Sequence, residues 1–86
     1  MQQELDYAKL GMKIKSLRLR KGLTQDNLAE MVSCNTSHIS NIENNHVKIS
    51  LPTLVHVCNA LDTTIDYILA DEYDQTSSVL EQEILH

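Results

Sequence analysis

The sequence has few of the residues that build turns and aromatic cores. Its 86 residues include two Gly, one Pro, no Trp and no Phe, and three Tyr are the only aromatic residues. A β-sandwich or β-barrel needs turn residues between many short strands, so this composition argues against both. Apolar residues still make up 42% of the chain. The length allows one small domain, and the predicted fold class is all-α with an aliphatic core.

Several functional signals are also absent. No apolar run approaches the roughly 18–20 residues that span a bilayer, and the polar start is unlike a signal peptide, so we expect a soluble, cytoplasmic protein. Cys34 and Cys58 form no CxxC pair and are expected to be reduced thiols. Paired catalytic carboxylates, a nucleophile–base set and a glycine-rich phosphate loop are missing, and the four His are scattered. We therefore predict no enzymatic activity, no metal site and no cofactor.

Charge is distributed unevenly along the chain. The net charge is −5, which by itself argues against a nucleic-acid partner. Residues 49–86, however, contain seven acids and no Lys or Arg, whereas residues 9–48 contain only three acids and every basic residue. Such asymmetry is typical of a polyanion-binding surface, although solvated helix faces would explain it equally well. The basic residues are Lys9, Lys13, Lys15, Arg18, Arg20, Lys21 and Lys48.

Apolar residues recur at helical spacing in two segments before residue 33. The first segment runs from about Ala8 to Lys21, and Gly22 is suited to end that helix. Thr24 is suited to cap a short second helix. The predicted inner positions are Leu10, Ile14 and Leu17 in the first helix and Leu28, Ala29 and Val32 in the second.

A third helix is predicted over residues 36–43, with Asn35 as its N-cap. At about 100° per residue, Ile39 and Ile42 point to one side, and the opposite arc of roughly 140° carries only short hydrogen-bonding side chains. An ordinary solvent-facing helix would more often carry Glu, Lys and Arg, which have better helix propensity. The residues of this polar face are Thr36, Ser37, Ser40, Asn41 and Asn44.

The remaining sequence predicts two further helices and a tail. Ser50 as N-cap and Pro52 in the first turn predict a fourth helix, which is strongly apolar and central to the core. Thr63, followed three residues later by Asp66, predicts a capping box for a fifth helix. The predicted core residues here are Leu54, Val55, Val57, Cys58, Leu61, Ile65, Ile68 and Leu69. After a polar stretch over residues 72–78, the final apolar residues are Val79, Leu80, Ile84 and Leu85, too few to form a stable helix unless they pack on something.

Two short helices joined by a tight turn, the second with an apolar inner face and a polar outer face, are typical of a helix-turn-helix. Residues 25–44, QDNLAEMVSCNTSHISNIEN, resemble the helix-turn-helix of the Cro and phage-repressor family, also called the xenobiotic-response-element family. The resemblance covers about residues 9–71 and implies a five-helix lambda-repressor-like DNA-binding domain. It leaves residues 1–8 as an N-terminal extension and residues 72–86 as an acidic amphipathic tail. One turn position usually held by Gly is Ser33, where a positive φ would cost about 1 kcal/mol.

The resemblance also implies roles for individual residues. Arg18 and Glu43 occupy positions that form a largely buried ion pair in some relatives. Asn41 is the best single candidate for base readout, because an Asn amide can pair with adenine N6 and N7. The implied base-reading residues are Thr36, Ser37, Ser40 and Asn41, and the implied phosphate contacts are Gln25, Asn35, Asn44, Asn45 and Lys48.

These residues predict a sequence-specific transcription regulator of bacterial or phage type that binds double-stranded DNA. A single recognition helix reads too few base pairs to be selective in a genome, so we expect a homodimeric repressor on inverted half-sites. The expected interface residues are Val79, Leu80, Ile84 and Leu85, together with Tyr67 and Tyr73, unless the tail folds over its own core. The alternative function is an antitoxin or a protein–protein module whose acidic C-terminal half binds a basic protein partner.

Overall fold

A computed structural model describes residues 5–70, which form five helices and no strand. The predicted tail, residues 72–86, lies outside the described residues, and with it the predicted interface residues Tyr73, Val79, Leu80, Ile84 and Leu85. None of the helices in residues 5–70 has the length and apolar character needed to span a membrane. The helices are α1 (Tyr7–Arg20), α2 (Gln25–Met31), α3 (Thr36–Glu43), α4 (Leu51–Ala60) and α5 (Ile65–Ile68).

Side-chain caps fix where the helices begin. The predicted N-caps Thr24, Asn35 and Ser50 are confirmed, since each side chain accepts a hydrogen bond from the backbone N–H three residues later. Asp6, which sequence analysis did not single out, caps α1 in the same manner through Ala8 and Lys9. As a result, α1 begins at Tyr7 and contains two residues that had been assigned to the N-terminal extension.

The predicted capping box at Thr63 is wrong by one residue. The N-cap of α5 is Thr64, whose hydroxyl accepts from the Tyr67 backbone N–H at 3.0 Å. In a capping box, the side chain three residues later accepts from the backbone N–H of the N-cap. Thr63 cannot provide this N–H, because it donates to the Cys58 carbonyl at 2.9 Å and closes α4. The end of one helix therefore sets the start of the next.

Four helices end in the same way, with a residue of positive φ followed by an N–H that bonds back five residues. Gly22 (φ 71°) provides this residue after α1, as predicted, and Ser33 (φ 59°) does so after α2. Asn45 (φ 60°) and Asp62 (φ 54°) do so after α3 and α4. The closing hydrogen bonds are 2.8–3.1 Å long. A chain with only two Gly thus ends its helices largely with Ser, Asn and Asp, of which Asn and Asp tolerate this conformation best.

The core is aliphatic, as predicted, with one error in α4. Val55 is 38% exposed, because the three buried residues of that helix occupy an arc of about 100° that does not include it. Leu17, Ile65 and Leu69 are partly buried and pack against the core. Buried residues comprise Leu10, Ile14, Leu28, Ala29, Val32, Ile39, Ile42, Ile49, Leu54, Val57, Cys58, Leu61 and Ile68.

Gly11 allows α1 and α3 to cross at close range. A Cβ atom at this position would overlap the Ile42 carbonyl oxygen and lie 3.1 Å from the Glu43 carbonyl oxygen. The backbone of α1 therefore packs directly on the C-terminal end of α3. This contact fixes the position of α3 relative to the core.

Candidate nucleic-acid interface

Helices α2 and α3 form a compact pair joined by a tight turn. Leu28 and Ala29 of α2 are buried together with Ile39 and Ile42 of α3. Ser33 adopts the positive φ that its position in the turn requires. The Cys34 N–H then closes α2 on the Ala29 carbonyl at 2.9 Å, and Asn35 caps α3 by accepting from the His38 N–H at 2.8 Å. Each end of the turn is therefore satisfied by local hydrogen bonds.

The polar face of α3 is at the surface, opposite its buried face. Ser37 is exposed, and Thr36, Ser40 and Asn41 are partly exposed. The only charged residue of α3, Glu43, is buried. The outward surface of this helix is thus uncharged and made of hydroxyl and amide groups, the pattern expected from the sequence.

Hydrogen bonding distinguishes the four side chains that we predicted to read bases. The Thr36 hydroxyl donates to the Asp26 carboxylate of α2, and the Ser40 hydroxyl accepts from the Asn44 amide at 3.3 Å. In the part of the chain that the structure describes, the side chains of Ser37 and Asn41 have no hydrogen-bond partner. Ser37 and Asn41 are therefore able to bind another molecule without first breaking a bond within the protein.

The residues predicted to contact phosphates lie at the ends of α2 and α3. Gln25 begins α2, and its amide donates to Glu43 at 3.0 Å, so its second amide hydrogen and its backbone N–H are the groups left for a ligand. Asn35 uses its side-chain oxygen to cap α3. Asn44 and Asn45 follow α3 directly and are exposed, as is Lys48 in the loop before α4.

Tyr7 is a further residue at this surface that the sequence did not reveal. Its ring lies 5.4 Å from the Lys48 ammonium, measured to the ring centroid. The two residues are 41 positions apart, so the contact depends on the packing of α1 near the loop after α3. The ring limits where the cation of Lys48 can lie, at a distance that permits cation–π attraction.

A buried polar network connects α1, α2 and α3. The Arg18 guanidinium donates to both carboxylate oxygens of Glu43, with Nε–Oε2 at 2.7 Å and Nη2–Oε1 at 3.0 Å. Its Nη1 also donates to the Leu23 carbonyl at 2.8 Å. Gln25 adds a third donor to Glu43. Because both charges are paired and bonded on several sides, this network fixes the position of α3 without presenting net charge to a ligand.

Known proteins that resemble this chain in sequence are helix-turn-helix proteins. The helix-turn-helix family profile matches residues 14–68, more than half of the chain. An HTH-type transcriptional regulator of Rickettsia prowazekii is 41% identical over 58 residues, which are 67% of this chain and 45% of the relative. The immunity repressor protein of Bacillus phage phi105 is 35% identical over 63 residues, 73% of this chain and 44% of the repressor.

One solved structure that resembles this chain contains bound DNA. Bacillus thuringiensis PlcR in complex with the peptide PapR7 and DNA superposes with a TM-score of 0.66 and 36% identity, over 71% of this chain and 21% of PlcR. The chain spans less than half the length of the Rickettsia and phage relatives that it matches. Together, the matched residues, the five-helix fold and the exposed polar face of α3 show that the chain belongs to the helix-turn-helix family of the Cro and phage-repressor type.

Proposed function

We propose that the protein is a sequence-specific transcription regulator that places α3 in the major groove of double-stranded DNA. The observation that carries this proposal is the exposed face of α3, on which Ser37 and Asn41 have no hydrogen-bond partner among residues 5–70. An Asn amide matches the donor and acceptor pattern of adenine, and a Ser hydroxyl can bond to several bases. The buried Ile39 and Ile42 hold this face in a fixed orientation.

The surrounding residues support contacts to the DNA backbone. Gln25 and Asn35 lie at the starts of α2 and α3, and Asn44, Asn45 and Lys48 follow the end of α3. These positions flank the base-reading face on both sides. Contacts from amides and backbone N–H groups would fix the register of the protein on the duplex without reading sequence.

We further propose that the protein is a cytoplasmic, homodimeric repressor. It acts by occupying its DNA site and not by catalysing a reaction. One α3 helix contacts only four or five base pairs at about 1–3 kcal/mol each, so two copies on inverted half-sites about 34 Å apart would supply the missing selectivity. The related phage protein is an immunity repressor, which supports repression as the mode of action. The interface residues proposed from sequence lie outside residues 5–70, except Tyr67, which is 49% exposed.

Selection of bound fragments from a random pool of duplex DNA, at a stated salt concentration, tests this function. We expect one enriched inverted repeat with half-site centres separated by one helical turn, and a binding constant that falls steeply with salt. Sedimentation equilibrium of the protein on the enriched duplex should give two chains per site. Recovery of random sequences after repeated rounds would contradict sequence-specific binding.

A further inference from the structure

The exposed side of α1 combines cationic and large apolar side chains. The helix contains five Lys and Arg and no Asp or Glu, and among the five only Arg18 is buried. Met12 is 67% exposed and Leu19 is 57% exposed. Lys9, Lys15 and Arg20 are exposed, and none of them forms an ion pair with another residue in the range 5–70. We refer to the surface formed by Lys9, Met12, Lys15, Leu19 and Arg20 as the α1 outer face.

This face lies between the end of α5 and the end of α3. On one side, the Lys13 ammonium lies 4.9 Å from the ring centroid of Tyr67 in α5. On the other side, Met12, Lys15 and Leu19 line a shallow depression together with Asn44, which directly follows α3. A ligand on the α1 outer face would therefore lie close to a residue that we predict to contact DNA.

The chemistry of the face favours one kind of occupant. A second copy of the same face would be repelled, because it carries the same positive charges. A DNA backbone would match the cations, but it would leave Met12 and Leu19 in contact with polar phosphate and water. An acidic segment with aliphatic side chains matches both features. Residues 71–86 are such a segment, since they contain five acids, no Lys or Arg, and four Val, Leu and Ile residues.

We propose that residues 71–86 bind the α1 outer face of the same chain, so that their aliphatic side chains are not available for the dimer interface that the sequence predicted. The aliphatic side chains of residues 79–85 cover Met12 and Leu19, and the carboxylates lie near Lys9, Lys15 and Arg20. The geometry allows it, because α5 ends beside Lys13. Residues 71–78 can span up to about 26 Å, whereas α1 is about 21 Å long and about 10 Å wide.

An intrachain segment has a high effective concentration, of millimolar order for a short linker, which favours this contact over binding of a separate molecule.

Methyl NMR on the 86-residue chain tests the contact in the absence of DNA. We expect NOEs from the Met12 and Leu19 methyl groups to those of Ile84 and Leu85, unchanged on tenfold dilution. Met31, which is 53% exposed on α2, provides the control and should show none. The variant Lys15→Glu/Arg20→Glu of the same chain should lose the NOEs, and adding Glu81→Lys/Glu83→Lys should restore them.

Three outcomes would overturn the proposal. These are the absence of the NOEs in the wild-type chain, NOEs that occur only between differently labelled chains in a mixed sample, and NOEs that persist unchanged in the charge-reversal variant. Thermal unfolding of each variant shows whether its fold is retained. Because no DNA is present, failure of this test is distinguishable from failure of the proposed function, which the duplex selection decides.

Discussion

Arg18 of α1 and Glu43 of α3 form a buried ion pair in which the guanidinium donates to both carboxylate oxygens, at 2.7 and 3.0 Å. Glu43 is the last residue of α3, so the pair fixes the end of α3 to α1. Gln25 donates to the same carboxylate and adds the start of α2 to this connection. The positions of α2 and α3 are therefore coupled through one side chain.

Removing the carboxylate should be far more costly than removing an exposed one. Glu43→Ala leaves the Arg18 charge buried and unpaired, and we expect the free energy of unfolding to fall by about 3–5 kcal/mol. Asp62→Asn is the control, because its pair with Lys21 is exposed and 3.8 Å long, and such pairs contribute at most about 1 kcal/mol. Urea denaturation measures both values. Equal losses of unfolding free energy in the two variants would show that the buried pair contributes no more to stability than the exposed pair.

Base readout by α3 can be tested by single substitutions that leave the fold intact. Asn41→Ala should weaken binding to the selected duplex by about 1–3 kcal/mol, the value of one good amide–base pair, and should relax the sequence preference at one position per half-site. Asn59→Ala on α4 is the matched control, since Asn59 is also exposed. Fluorescence anisotropy gives the affinities. An unchanged sequence preference in the Asn41 variant would exclude this residue from readout.

The close crossing at Gly11 predicts a steric penalty. Gly11→Ala places a methyl group against the Ile42 carbonyl, and overpacking of this kind typically costs about 1–3 kcal/mol, more than the roughly 0.5–1 kcal/mol that Ala gains in a helix interior. Gly22→Ala has open space around it but a φ of +71°, so its cost of about 1 kcal/mol is conformational. Gly22→Asn should therefore recover part of the loss, whereas Gly11→Asn should not. Thermal denaturation of the four variants separates the two causes.

The turn between α2 and α3 contains strain that one substitution relieves. Ser33 has a φ of 59°, which costs a non-glycine residue about 1 kcal/mol or more. Gly at this position removes that cost. It also increases the conformational entropy of the unfolded chain, which lowers the free energy of unfolding by about 0.4–1 kcal/mol. We expect Ser33→Gly to raise the free energy of unfolding by up to about 1 kcal/mol, while Ser16→Gly within α1 lowers it by about 0.5 kcal/mol. A lower melting temperature for Ser33→Gly would contradict this account.

Burial raises the pKa of both thiols, because a thiolate loses hydration inside the protein. Cys58 is buried and Cys34 is half-buried, so iodoacetamide at pH 8 should label Cys34 slowly and should label Cys58 only after unfolding. Mass spectrometry of the intact chain counts the labels. Rapid labelling of Cys58 in the folded protein would show that the thiol is accessible.

The same shift makes stability depend on pH. The pKa of Cys58 is higher in the folded state than in the unfolded state, so the unfolded chain releases its proton first. The stabilising contribution is complete below the ordinary thiol pKa of about 8.5 and is lost as the pH rises above it. The decrease in stability between pH 8 and pH 10 should therefore be smaller in Cys58→Ala than in the wild type.

Local interactions were the part of the structure that the sequence predicted well. The caps Thr24, Asn35 and Ser50 act within one helical turn, and the buried face of α3 follows from helical periodicity alone. Thr63 was misassigned because its N–H is taken by the preceding helix, a competition that a capping pattern does not contain. Val55 was misassigned because an almost wholly apolar helix does not show which side faces the core.

Contacts between distant residues could not be predicted in this way. Gly11 has no local signature, because its role depends on the backbone of α3 more than thirty positions later. The contact between Tyr7 and Lys48 likewise arises only when α1 packs near the loop after α3. The hydrogen bond from Thr36 to Asp26 depends on how α2 and α3 are placed side by side. Each of these contacts modifies the candidate interface without being visible in any local pattern.

The separation of the two faces of α3 has a consequence for how this protein can evolve. Ile39, Ile42 and Glu43 fix the helix from the inner side, whereas the side chains of Ser37 and Asn41 form no hydrogen bond with another residue in the range 5–70. Mutations at the outward positions can therefore change which target site is chosen while the scaffold stays folded. A new binding preference becomes accessible in single steps at these two positions, whereas exchange of Asn35 would remove the cap of α3 and exchange of Thr36 would remove its hydrogen bond to Asp26.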